Sequence, residues 1–140
     1  MTPPPPTTAP EHGYVLAFDF GLRHIGLACG QTITGTASPL AVLAARDGRP
    51  DWPALLAAIE PWRPILLIVG LPLNMDDSES EMSARARAFA RVLERRSGIA
   101  TVLVDERLTT RAARESADAG GDGDHALAAA LIAETWLSAR

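Results

Sequence analysis

YVLAFDFGLRHIGLACG, residues 14–30, contains two short apolar runs broken by a glycine and a charged turn. The first, 14–20, is apolar throughout except for Asp19 and ends at Gly21, which suits a buried strand. Residues 25–30 and 33–38 read as two more strands joined through short Gly- and Thr-containing turns, so the domain opens with a meander. Downstream, 39–50 reads as a loop or edge with the turn signal Asp47-Gly48. Asp51 can cap a helix over 52–62, with Pro53 in its first turn, where a missing N–H is harmless.

The second half alternates. ILLIVGL, residues 65–71, is β-branched and apolar enough for a strand covered on both faces. Ser78 and Glu81 have capping-box spacing ahead of a helix to about Arg96, and Gly98 ends it. On that helix Met82, Ala86, Phe89 and Leu93 share one face, while Arg87, Arg91 and Arg95 line the other. A fifth strand is expected over 101–105, a helix over 109–119, a polar Gly-rich break over 118–123, and a largely apolar helix over 124–139. Three early strands followed by strand–helix alternation predict an α/β fold with a five-stranded mixed sheet flanked by helices.

Composition bounds the rest. At 140 residues, one domain over 14–140 is expected, preceded by a flexible Pro-rich tail over 1–13 that holds five of the eleven prolines. A single cysteine, Cys29, excludes an intramolecular disulfide or a cysteine-built zinc cluster. No apolar run reaches the roughly 18 residues of a membrane span, and the start lacks a signal-peptide pattern, so a cytoplasmic protein without membrane contact is expected. All 13 basic residues are arginine, and the net charge is −4. Any nucleic-acid contact must therefore come from a local stripe.

The candidate chemistry is carboxylate chemistry. Asp19 sits within the first strand, on the face of Val15 and Ala17 by alternation, where an unpaired charge is costly. It could equally be a turn aspartate bonding the backbone near Gly21. Asp105 and Glu106 end the fifth strand and point to opposite faces, so only one can join Asp19. Asp124 opens the last helix, where an N-cap role and a ligand role are compatible. Three acids from separate elements, meeting at one end of a sheet, form a hard oxygen site for Mg²⁺ or Mn²⁺. Two such ions can hydrolyse a phosphodiester without a side-chain nucleophile. His24 and His125 read as structural, although His125 beside Asp124 could assist a proton transfer.

FDFGLRHIG (18–26), TASPL (36–40), VGLPLNMD (69–76), VDERLTT (104–110) and DHALAA (124–129) together resemble the YqgF/RuvX family. The similarity runs over 14–137. It implies an RNase H-like fold whose first three strands are antiparallel. It also implies a metal-dependent endonuclease that matures the 5′ end of pre-16S rRNA in ribosome biogenesis, or a Holliday junction resolvase acting on branched DNA. The acidic set carried over is Asp19, Glu106 and Asp124 as catalytic and metal-binding residues, with Glu106 preferred to Asp105. Leu22 and His24 depart from the family, which more often has Thr and a basic residue there. Arg23, Asn74 and Arg107 are candidate nucleic-acid contacts. Expected partners are structured nucleic acid and ribosomal assembly factors, with the chain a monomer or a homodimer.

Two other readings compete. DFGLRHIG also resembles the first phosphate loop of actin-like sugar kinases, but those need two lobes and this chain has material for one. A non-catalytic scaffold for nucleic acid or assembly factors would suit the acidic net charge. Tight Mg-ATP binding would favour the first of these, and salt-dependent binding without cleavage the second.

Overall fold

The computed structural model describes residues 12–109 and 123–140. Along the chain run strands β1 (Tyr14–Asp19), β2 (His24–Gln31), β3 (Thr36–Arg46) and β4 (Arg49–Pro50), then helix α1 (Trp52–Ile59) and a 3₁₀ turn (Glu60–Trp62). Strand β5 (Leu66–Leu71), helix α2 (Glu81–Ser97), strand β6 (Thr101–Asp105), a second 3₁₀ turn (Glu106–Leu108) and helix α3 (Gly123–Ser138) complete it. The expected helix over 109–119, most of the Gly-rich break and residues 1–11 of the expected tail lie outside the described residues. Gly13, assigned to that tail, donates its N–H to the Thr32 hydroxyl at 2.9 Å.

The sheet has six strands in the order β4-β3-β2-β1-β5-β6. β1, β2 and β3 are antiparallel neighbours, and β5 and β6 add in parallel on the other side of β1. The sixth strand is the two-residue β4, where a loop or edge was expected. It exists because Asp47 (φ 50°) and Gly48 (φ 79°) both take left-handed backbone, the geometry of a tight hairpin turn. The third strand also starts and ends later than 33–38. It runs past Pro39 because β2 and β3 slip register between Leu27 and Ala28, at the position facing Pro39, where the proline has no N–H to give.

The sheet buries both faces. On one, Leu16, Phe18, Leu67 and Val69 pack with Leu55 of α1 and with Ala86, Phe89 and Leu93 of α2. On the other, Val15, Ala17, Ile68 and Val104 pack with Ile132, Ala133 and Leu137 of α3. Ala28 meets Ala129 and Ala130, small residues that bring α3 close to β2. That alternation along β1 puts Asp19 on the α3 face.

The start of α2 corrects the expected capping pair. Ser80, not Ser78, is the N-cap, and its box partner at the third helical position is Ser83 rather than Glu81. Ser78 is occupied in the preceding loop, donating to Asp76 Oδ1 from its N–H at 3.0 Å and from its hydroxyl at 2.5 Å. The Ser83 hydroxyl also donates to the Pro72 carbonyl, tying the helix start to the end of β5. Ser80→Ala should therefore cost about 1 kcal/mol, read as a lower urea midpoint with unchanged m-value.

Candidate active site

Two glycines in mid-strand positions shape the carboxyl end of the sheet on the α3 face. Gly26 of β2 is the cross-strand partner of Asp19. A side chain at Gly26 would collide with the backbone of His125 and Ala126, so the first turn of α3 rests directly on β2 opposite Asp19. Gly70 of β5 lies on the other side of β1, one step beyond the Phe18–Val69 pair. A Cβ there would stand 2.5 Å from Glu106 Oε1 and 2.5 Å from Ile132 Cδ1. Gly26, Asp19 and Gly70 thus form a row across three strands. The α3 backbone covers one end of the row, and the Glu106 carboxylate covers the other.

The two adjacent acids take different surroundings. Glu106 reaches back over β5 on the α3 face, whereas Asp105 turns to Arg107. The Arg107 Nε donates to Asp105 Oδ1 at 3.0 Å, and its Nη2 donates to Asp105 Oδ2 at 2.7 Å. Those bonds, opposed in part by burial, hold the Asp105 carboxyl below the usual carboxylate range. The Arg107 guanidinium is held charged in turn, first by Asp105 and then by Asp77. Both Asp19 and Glu106 are half-buried and each has interactions of its own. Asp124 belongs to the first turn of α3, one residue before His125, and its side chain lies outside the described residues. Among the described residues no three His, Cys, Asp or Glu side chains form a metal-sized group. Asp19 and Glu106 supply two hard oxygen donors at this end of the sheet, a donor type suited to Mg²⁺ or Mn²⁺.

The remaining expected contacts divide. Arg23 is exposed on the β1–β2 turn, and its side chain makes no bond among the described residues. Asn74 orders its own loop, donating from Nδ2 to the Ser78 hydroxyl at 3.0 Å. Arg107 is bound internally through its whole guanidinium. His24 and His125, about a hundred positions apart in sequence, stack with ring centroids 4.9 Å apart and planes inclined by 21°. Sequence reading missed that pairing, and it missed the glycine row. The row had a signal: a glycine inside an otherwise apolar strand, as in ILLIVGL, marks a close approach.

A profile of the RuvX family, described as Holliday junction resolvase, matches residues 13–139. The chain belongs to the RuvX family. A relative from Acinetobacter baylyi named "Putative pre-16S rRNA nuclease" is 47% identical over 136 residues, covering 92% of each chain. Another of that name, from Marinobacter nauticus, is 50% identical over 134 residues, covering 91% of this chain and 94% of its own. In structure, this RuvX chain is similar to Thermus thermophilus RuvC in complex with a Holliday junction substrate, with TM-score 0.60 and 17% identity. That match covers 91% of this chain and 96% of the other. The fold is therefore RNase H-like, as the resemblance implied.

Gly70→Ala offers a direct probe of this RuvX site. The added methyl must displace both the Glu106 side chain and the Ile132 tip, each of which can shift. It should cost about 1–2 kcal/mol and lower any activity that depends on Glu106 more than it lowers stability, measured by paired thermal melts and cleavage rates.

Proposed function

We propose that this RuvX protein is a divalent-metal-dependent endonuclease that processes the 5′ end of pre-16S rRNA, with Asp19, Glu106 and Asp124 as its metal-holding carboxylates. The observation that carries the reading is the row at the sheet end: Glu106 Oε1 packs over Gly70, Asp19 is the neighbouring position, and the turn bearing Asp124 seats on Gly26. The rRNA substrate is supported by the printed name of relatives about half identical over nearly the whole chain, pre-16S rRNA nuclease.

The residues divide the work physically. Asp19 comes from a strand buried on both faces, so its backbone cannot drift, and Glu106 is braced against β5. Together with Asp124 they hold oxygen donors where the scissile phosphodiester would lie. When bound, Mg²⁺ or Mn²⁺ supplies Lewis acidity to the phosphate and lowers the pKa of the attacking water. Arg23, exposed on the β1–β2 turn that follows Asp19, holds an adjacent phosphate as a bidentate donor. An acidic protein needs such local cations, because its overall field repels the substrate. Ribosome-assembly factors and a cytoplasmic location belong to the same reading.

The likeness in fold to a junction-bound RuvC favours a second substrate, branched DNA. Paired cuts in a four-way junction need a two-fold dimer, whereas trimming an rRNA leader does not. The test sets a precursor rRNA leader beside a four-way junction with Mg²⁺, Mn²⁺ and chelator, with the solution mass measured in parallel. Metal-dependent cleavage confined to the leader by a monomer is the expected result. Cleavage confined to the junction by a dimer selects the second reading, and binding without cleavage of either removes the nuclease assignment.

A further inference from the structure

The segment 72–80 leaves β5 at Leu71 and enters α2 at Ser80, and it is built as a closed loop. Asn74 N–H donates to the Ser78 carbonyl at 2.9 Å, and Asp77 N–H donates to the Asn74 carbonyl at 3.0 Å. Leu73 and Glu79 form an antiparallel bridge beneath them. Asp77 takes a left-handed backbone with φ 70°, and Met75 at the tip is 91% exposed. Arg107 ties this loop to the end of β6. Its Nη1 donates to the Asn74 carbonyl at 2.8 Å, and its Nη2 donates to Asp77 Oδ1 at 2.8 Å. The other edge of the same guanidinium grips Asp105.

Glu106 lies between Asp105 and Arg107, at the first position of a three-residue 3₁₀ turn. Such a turn has poor hydrogen-bond geometry and little stability of its own. Its internal bonds include those from the Thr109 N–H and hydroxyl to the Glu106 carbonyl at 3.1 and 2.7 Å and the Asp105 cap on Arg107 N–H at 2.9 Å. The Arg107 side chain ties it to the 72–80 loop.

We propose that Arg107 is a positioning residue: by clamping Asp105 to the 72–80 loop it fixes the Glu106 peptide, and so the Glu106 carboxylate, over Gly70. This deepens the metal-nuclease reading and rests on it. It also reassigns Arg107, expected from sequence to hold a phosphate. All three nitrogens of this guanidinium donate within the fold, to Asp105, Asp77 and the Asn74 carbonyl, so a phosphate would have to displace one of them.

Three variants of the full chain test it: Arg107→Ala, Arg107→Lys and, as a mild change at an exposed carboxylate, Asp77→Asn. Lysine keeps a point charge for a phosphate but cannot bridge the loop and the strand as a fork. Calorimetric Mn²⁺ affinity should fall roughly 10- to 100-fold in both Arg107 variants, as for other partners that orient metal ligands, and less in Asp77→Asn. kcat should fall while KM for the RNA stays within about threefold, as for a group that does not bind substrate. Hydrogen exchange should quicken at the amides of Asn74, Asp77 and Arg107. Restored affinity and kcat in Arg107→Lys would overturn the proposal, as would a KM rise with the salt slope of binding reduced by about one. If the parent protein binds no Mn²⁺, the nuclease reading fails by itself. The exchange rates then decide the clamp: faster in Arg107→Lys supports it, unchanged rejects it.

Discussion

Alanine at position 26 is expected to unseat α3. The methyl would have to occupy the space of the His125 carbonyl, and the obstacle is backbone, which has no rotamer to yield. Either β2 bends away from β1 or the first turn of α3 lifts off the sheet. Overpacking of this kind typically costs 1–3 kcal/mol, so a loss of about 3 kcal/mol and a melting temperature lower by about 10 °C are expected. The same lift parts the stacked His24 and His125 rings and, on the proposed reading, withdraws Asp124 from the metal site. Cleavage should therefore fall much further than the folded fraction does. Gly35 is the internal control: it also lies outside any helix, but a Cβ there meets nothing within 4 Å. Its alanine variant should lose only about 1 kcal/mol, from its left-handed φ of 70°. A Gly26→Ala protein that melts and cleaves like the parent would show that α3 does not rest on β2.

Asp19→Asn should separate chemistry from folding most cleanly. The amide has nearly the shape of the carboxylate, so β1 keeps its pairing to Gly26 and its place between β2 and β5. It does not keep the charge. Groups that merely orient a metal ligand are worth roughly 10- to 100-fold, so loss of a ligand should reduce Mn²⁺-dependent cleavage by at least a hundredfold. The fold should survive, read as a retained cooperative melt, because β1 is held by backbone pairing on both sides. On the proposed reading, nucleic-acid binding in chelator should be unchanged, since an acid does not hold phosphate and cations do. A variant that cleaves at the parental rate removes Asp19 from the site. One that loses binding along with cleavage gives Asp19 a structural role.

Much of this was legible along the chain because the signals are local. Apolar runs with a period of two or none mark β1, β2 and β5, and Asp51 announces α1 by its side-chain bond to Ala54 N–H at 3.2 Å. Where a local signal had two possible uses, the reading slipped. Ser78 has the spacing of a cap, but a nearer partner, Asp76, takes it and leaves the cap to Ser80. What the Arg107 guanidinium touches, Asp105 and Asp77, was likewise set by the fold rather than by spacing along the chain. Asp105 and Glu106 could not be told apart by alternation alone, since that rule says only that they diverge.

The order of apolar and polar residues by itself determined the meander, the alternation that follows it, and the acids at strand ends, because each depends on neighbours a few positions apart. The tertiary structure decided which acid faces which, and what a given arginine holds. Those outcomes depend on pairs as remote as Gly26 with His125 and Gly70 with Glu106. Such contacts arise when sheet register and helix packing bring distant backbone together, and a glycine in a strand records only that room was left for them.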